Sequence, residues 1–451
     1  MLAFTILAGG LCGLAAVAFH LSIAWLEALF INRANAAPGH SWIFWTILTP
    51  ALGGLVVGLG LTYWAPAAAG SGIPQVKVAF ALRHGLISFR ETIGKFVLCA
   101  LQIGAGASLG LEGPTVQICA GVSSMLAGAA RLSPQYRRRM TSVGMAAGIA
   151  AAFNAPIAAI TFTLEELIGD LDQTMLSGVI VAAALAAVVE NKILSNNPVF
   201  HVPRHYQFDR ASSLLWYALL GVLASFVSIA FSDSLLWVRA QFKRLESVPK
   251  WIHPAFGGLG TGVLAVIGLE FFHRNGIAGD PYQTLTLALT GTLPLTMMIT
   301  FCLLKLAATV SSYSSGGSGG IFAPSLFMGG MLGGAVGYID VTVFHHSTDA
   351  IGAFAVVGMG AVFAGIVRAP MTSILIVFEM TGGYGLVLPL MIANMSAFAL
   401  ARHWRPVPVY DALLAQDGII LPHGSTPLGP PGETTDIEEN LTAGATEDAT
   451  A

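Results

Sequence analysis

Charge is what this sequence has least of. Of its 451 residues, 10% are Asp, Glu, Lys or Arg, against about 25% in an ordinary soluble domain. Hydrophobic residues make up 55%, and mean hydropathy is +0.73. A soluble globular fold is excluded on that ground. The formal net charge of −3 gives no reason to expect a nucleic-acid partner. Cysteine is also scarce. Cys12, Cys99, Cys119 and Cys302 all lie in apolar runs without C-x-x-C spacing, which reads as reduced, small core residues and not as a disulfide framework. No H-E-x-x-H pattern occurs, so no metal and no cofactor is expected, and nothing points to enzymatic hydrolysis. His201 and His205 are spaced i, i+4, but Pro203 lies between them, and a loop pair is the expectation there.

What the chain has instead is apolar length. The runs 3–30, 43–64, 174–189, 214–231, 293–310 and 385–401 approach or exceed the roughly 20 residues that cross a bilayer. With shorter runs broken by Gly and Pro, such as 115–130 and 321–339, they predict an all-α polytopic membrane protein with about ten full spans and several part-spans. The 52 glycines suit close helix packing and broken helices. The one basic cluster, Arg131 with Arg137-Arg138-Arg139, reads as a connecting loop on the cytoplasmic side. Residues 200–212 read as a polar connection between two halves. Beyond Leu414 the chain turns polar, and 424–451 holds six acids and no Lys or Arg. Residues 416–451 are therefore expected to be a disordered acidic tail, with no folded regulatory domain, behind a membrane domain spanning 1–415.

One stretch organises the rest: Gly110-Leu111-Glu112-Gly113-Pro114, between the apolar runs 93–109 and 115–130. A carboxylate within a bilayer costs on the order of 2.5–3.5 kcal/mol even on lenient insertion scales, so Glu112 is a functional candidate by default. Pro114 suits the first turn of a helix, which places Glu112 just before a helix that starts inside the membrane. The unpaired N–H groups of such a start form an anion site, and a carboxylate held over that site can occupy it. The plainer reading is a helix cap that happens to lie deep. The same G-x-x-x-P spacing recurs at Gly70-Ser71-Gly72-Ile73-Pro74 and at Gly320-Ile321-Phe322-Ala323-Pro324. Irregular backbone at membrane depth persists only where protein surrounds it or where it lines a cavity. Three copies therefore predict one shared cavity with helix starts aimed at it, each carrying roughly +0.5 charge.

An internal repeat supports a two-half design. Residues 144–166 align without gaps to 358–380, with eight of 23 positions identical at an offset of 214. Ala155-Pro156 matches Ala369-Pro370, and Glu165 matches Glu379. Halves with broken segments in matching places characterise transporters that bind substrate near the midplane. Glu165 and Glu379, being shared, are expected to be structural. The next position differs, Glu166 against Met380, and an ionisable residue present in one copy only invites a functional reading.

With these motifs in place, the sequence resembles the CLC family of chloride channels and proton-coupled chloride antiporters, from about residue 5 to about residue 415. The resemblance rests on G-S-G-I-P at 70–74, G-L-E-G-P at 110–114, G-G-I-F-A-P at 319–324, and Tyr410 just past the last apolar run. It implies two inverted repeats of broken and tilted helices, about 1–200 and 210–415. It also implies a homodimer with one anion path per subunit, in the cell (inner) membrane of a bacterial-type cell. Carried over by motif, the hydroxyls of Ser71 and Tyr410 and the backbone N–H groups of Ile321 and Phe322 would hold chloride. Glu112 matches the gating glutamate. Glu166 falls where antiporters keep a glutamate that takes protons from the cytoplasmic side, a place that true channels tend to fill with an apolar residue. The chain departs from well-known bacterial antiporters at Gln75-Val76-Lys77, where carboxylates are often found, while Lys95 keeps a basic residue before the gating motif.

The resemblance thus implies transmembrane chloride transport, with proton-coupled antiport as the leading expectation. Chloride and the Glu112 carboxylate cannot share one site of low dielectric. Protonation would release Glu112, and Glu166 would deliver the proton. A passive voltage- or pH-gated chloride channel is the alternative within transport; an intramembrane hydrolase and a structural scaffold are the alternatives outside it. The expected partners are chloride, protons, the lipid bilayer and a second copy of the chain.

Overall fold

The computed structural model describes residues 2–168, 173–194, 199–200, 202, 206, 213–345 and 347–421. His201, His205 and the acidic tail past 421 lie outside the described residues. The first half runs α1 (Leu2–Leu29), α2 (Ile31–Asn35), α3 (Ser41–Tyr63), α4 (Ile73–Leu82), α5 (Phe89–Gly104), α6 (Glu112–Ala129), α7 (Pro134–Phe153), α8 (Pro156–Thr163) and α9 (Gln173–Ile193). The second runs α10 (Ser213–Arg244), α11 (His253–Phe272), α12 (Tyr282–Leu289), α13 (Leu295–Ser314), α14 (Phe322–Phe344), α15 (Asp349–Val367), α16 (Pro370–Thr381), α17 (Val387–Trp404) and α18 (Val409–Gln416). Among the described residues, nine helical stretches are long and apolar enough to cross a membrane, against an expectation of about ten. The connection after α1 contains the short helix α2. Large apolar side chains such as Leu215 and Phe271 face outward, 76% and 73% exposed, as a multi-pass membrane protein requires. All four cysteines are free and buried.

The two halves repeat the same order of long, short and proline-started helices, and local chemistry explains the match. α7 ends at Asn154 and α15 at Arg368, both left-handed, with φ of 50° and 71°. Each is followed by Ala-Pro, which ends one helix and starts the next. Arg368 holds its uncommon backbone by donating to the carbonyls of Gly365, Ala401 and Arg405. Glycines allow the tight pairs. A Cβ on Gly144 of α7 would lie 2.4 Å from the Cys119 carbonyl of α6, and one on Gly358 of α15 would lie 2.4 Å from the Gly329 carbonyl of α14.

The shared glutamates tie the halves together reciprocally. Glu165 accepts from the N–H groups of Met371 and Thr372 at the start of α16, at 3.2 and 2.9 Å. Glu379 accepts from those of Ile157 and Ala158 at the start of α8, at 3.0 and 2.7 Å. Donors and acceptors are equivalent at the 214-residue offset. Each half therefore caps the other's short helix, the contact pattern of a pseudo-two-fold axis between inverted repeats. The chain is further closed where Arg239 and Lys243 of α10 hold Asp417, at 2.8 and 2.6 Å. Burial pushes the Asp417 carboxyl up, but the two cations outweigh it and hold it below its ordinary range.

Since a helix cap is worth about 0.5–2 kcal/mol, and a carboxylate adds its attraction for the helix dipole, Glu379→Ala should destabilise the protein by about 1–2 kcal/mol. Thermal unfolding in detergent measures this, and a midpoint equal to wild type would contradict the capping role.

Candidate functional site

The three G-x-x-x-P stretches meet in the middle of the molecule. The segment before α14 runs between the other two and bonds to both. Gly70 donates to the Gly317 carbonyl at 2.9 Å, and Gly319 donates back to that of Gly70 at 3.0 Å. Gly110 donates to the Gly320 carbonyl at 2.8 Å, and Gly320 returns the bond at 2.6 Å. Two short backbone ladders thus satisfy peptide groups that could not remain unpaired at this depth. The single expected cavity is in effect one seam. Gly72 must be glycine here, with φ of 99° and with Gly113's carbonyl only 2.6 Å from where a Cβ would stand.

Buried polar side chains hold the seam. Lys95, with 0% exposure, donates to the carbonyls of Ala68 and Gly70 at 3.0 and 2.5 Å. Gln102 accepts from the Ser318 N–H at 2.7 Å, and the Ser318 hydroxyl donates to Ala68 at 2.6 Å. Gln75, one of the departures noted above, has a structural use: it accepts from the Gly72 N–H at 3.0 Å and donates to the Ala69 carbonyl at 2.8 Å.

Glu112 opens α6 and is fully buried. One carboxylate oxygen accepts from the Ala323 N–H at 3.3 Å. The other accepts from the Tyr282 hydroxyl at 2.5 Å. Ile321 is the N-cap and Phe322 the first residue of α14, and Pro324 has no N–H. The unpaired donors of this helix start are therefore the N–H groups of Ile321, Phe322 and Ala323, and the Glu112 carboxylate stands on the last of them. Ala323 and Tyr282 are site members that the sequence reading missed.

Ser71 and Tyr410 are both fully buried. The Ser71 Oγ and the Tyr410 Oη have no hydrogen-bond partner, although the Tyr313 phenol lies beside Ser71. The Tyr410 ring packs edge-on to Phe322, with centroids 6.3 Å apart, and Phe322 also meets Phe153, Phe162 and Phe363. Buried hydroxyls are nearly always paired, so two unpaired ones next to a helix N-terminus form a donor set suited to an anion. A cavity of 350 Å³ adjoins the seam, lined by Gly70, Gln75, Arg239, Tyr313 and Gly316 among others.

Glu166 lies elsewhere, on a single π-turn over Leu164–Ile168 that ends α8. Its carboxylate accepts from Lys77 at 2.9 Å, and the same ammonium reaches Asp411 at 2.6 Å. Glu165 points instead at the start of α16. Lys77 stood out in the sequence as a departure without a role; Asp411, next to Tyr410, went unnoticed.

A Cβ at Gly110 would sit 2.3 Å from a Glu112 oxygen and 3.1 Å from the Ala323 nitrogen. Gly110→Ala should therefore push the carboxylate off the start of α14. Hydrogen bonds to charged groups are worth about 1.5–3 kcal/mol, and thermal unfolding should register a loss of that order; an unchanged midpoint would mean that the carboxylate is not held there.

Comparison with known proteins agrees with this architecture. The family model described as voltage gated chloride channel matches residues 53–402. The H(+)/Cl(−) exchange transporter ClcA of Salmonella paratyphi A is 32% identical over 416 residues, covering 90% of this chain and 86% of ClcA. A slow cyanobacterial Cl−/H+ antiporter superposes with a TM-score of 0.84 at 25% identity, covering 92% of this chain and 97% of the other. A eukaryotic CLC transporter shares the fold at a TM-score of 0.76 and 21% identity, over 92% of this chain and 74% of the other. The seam of three glycine-proline stretches, the inverted halves and these matches have one explanation: the chain belongs to the voltage gated chloride channel family, the CLC proteins.

Proposed function

We propose that this protein exchanges chloride for protons across the membrane it spans, with Glu112 as the gate and Glu166 as the inner proton acceptor. The observation that carries the reading is the Glu112 carboxylate accepting from the Ala323 N–H at the start of α14. An anionic side chain stands on a backbone donor that would serve a halide equally well. ClcA and the cyanobacterial relative, both named as chloride/proton exchangers, support the same conclusion.

Competition at the seam supplies the coupling. With Glu112 ionised and docked, a chloride ion at the same donors would face a like charge at close range in low dielectric. A proton on Glu112 removes the charge and weakens both of its bonds, so the side chain leaves and chloride takes over the free N–H groups. The hydroxyls of Ser71 and Tyr410 supply the remaining donors, with Ile321 and Phe322 acting through their backbone. Tyr282 favours the docked carboxylate. Glu166, on the Tyr410 side, receives the inner proton. Residues 1–415 form the transport domain in this reading, the chain works as a homodimer, and the cell (inner) membrane is its location. Exposed Ile157 and Met371 (52% and 60% exposed), equivalent at the repeat offset, offer an apolar face for a second copy.

One observation favours the passive channel: Lys77 holds Glu166 in an ion pair, and a carboxylate locked in that way carries protons poorly. Proteoliposomes under a chloride gradient, with external pH recorded, decide the matter. Wild type should drive protons uphill. Glu166→Gln should pass chloride and move no protons; equal proton movement in both would place the inner acceptor elsewhere, and none in wild type would make the protein a channel. Glu112→Gln should likewise keep chloride flux and lose proton coupling.

Tyr282→Phe removes a donor worth about 1.5–3 kcal/mol to a charged acceptor. Chloride should then displace Glu112 roughly tenfold more readily, read as a tighter Kd by calorimetry. A Kd equal to wild type would show that the phenol does not weight the competition.

A further inference from the structure

Lys77 joins three elements at one nitrogen. It sits midway along α4, the helix that begins at the Ser71 stretch, and is only 6% exposed. Its ammonium donates to Glu166 on the π-turn after α8 at 2.9 Å and to Asp411 on α18 at 2.6 Å. Asp411 immediately follows Tyr410, and the side chains of Lys77 and Glu166 are 7% and 8% exposed. With all three groups ionised, the cluster carries one net negative charge. With a proton on Glu166 it carries none.

We propose that Lys77 is a positioning residue that transmits the charge state of Glu166 to the seat of Tyr410, and so to the chloride held there. This rests on the reading in which Glu166 exchanges protons and Tyr410 binds chloride. While Glu166 is ionised, Lys77 divides its hydrogen bonds between two carboxylates, and neither helix end holds it alone. When a proton from the inner side binds a Glu166 oxygen, the attraction between Glu166 and Lys77 falls to that of a neutral hydrogen bond. Lys77 keeps its own three protons and retains Asp411 as its one ionised partner. Lys77 is buried while the Asp411 side chain is 25% exposed, and with the ammonium no longer shared the remaining ion pair tightens, drawing α18 toward α4 at the residue next to the Tyr410 hydroxyl. No bond is made or broken apart from the proton that Glu166 gains. Among the described residues, ionisable groups that act on the cluster include Glu165, whose oxygens are taken by the start of α16, and Tyr410 itself, which in turn neighbours Tyr313 and Glu112; Asp411 has a further interaction besides Lys77.

The test measures chloride affinity against pH by calorimetry on the full-length, detergent-purified protein, in a Glu112→Gln background that removes the gate's own titration. Chloride should bind more tightly at low pH by about fivefold, the lower end of ordinary coupling between sites. Adding Asp411→Asn should cut that pH dependence to less than about twofold. Lys77→Met should do the same, whereas Lys77→Arg, which keeps the cation, should preserve most of it. Should Lys77→Met fail to fold, Asp411→Asn and Lys77→Arg decide the matter between them. A merely structural ion pair would shift affinity equally at every pH and leave the slope intact; an unchanged slope in Asp411→Asn overturns the proposal, as does a flat profile in the Glu112→Gln parent. Failure of the underlying reading looks different: Glu166→Gln would then still pump protons in liposomes.

Discussion

The structure depends on one constraint: backbone that stops being helical inside a membrane must find partners within the protein. Three helices start at depth, before Pro74, Pro114 and Pro324, and the peptide groups ahead of each are paired with one another across the seam. Lys95, Gln75, Gln102 and Ser318 complete that pairing. Among the described residues of this seam, the hydroxyls of Ser71 and Tyr410 stay without a partner, beside a helix start, that of α14, whose Ala323 N–H is taken by Glu112. The same accounting that makes the fold possible leaves the donors that an anion needs.

The pseudo-symmetry sharpens the point. Gly110 and Gly320 exchange a reciprocal pair of backbone bonds, so the axis relating the halves passes between G-L-E-G-P and G-I-F-A-P. Aligned on those motifs, the partner of Glu112 is Phe322, and aligned on the longer repeat, the partner of Glu166 is Met380. The fold tolerates an apolar residue at both places, since the second half has one at each. Glu165 and Glu379 show the opposite behaviour: both halves keep the carboxylate because each half needs a cap from the other. Symmetric charge is architecture, and charge present on one side only is available for chemistry.

Much of this could be read from the sequence because the signals were local. Apolar length gave the spans, proline after glycine gave the deep helix starts, and the repeat gave the two halves and their structural glutamates. What could not be read was pairing across distance. Tyr282 reaches Glu112 from 170 residues away, and Asp411 reaches Lys77 from 334; no spacing rule links positions so far apart. Lys77 looked like an isolated departure because its two partners lie on other helices. The choice of Ala323 as the N–H that meets Glu112 depends on how α6 and α14 approach each other, which periodicity does not fix.

The placement of cations explains why such a site would transport an anion instead of trapping it. Lys95 is fastened to two carbonyls, Lys77 to two carboxylates, and Lys305 to the Ile277 carbonyl at 3.1 Å, near Glu27, Asp280 and Glu112. Each buried lysine therefore spends its charge on the framework. The donors left at the seam are hydroxyls and backbone N–H groups, which are dipoles and not full charges. A bare ammonium facing chloride in low dielectric would bind it too strongly to let go, whereas a conducting site must bind well enough to admit an ion and weakly enough to release it. In the exchange mechanism proposed above, the full negative charge of Glu112 would be matched against a modest attraction, so that one proton would be enough to decide which anion occupies the start of α14.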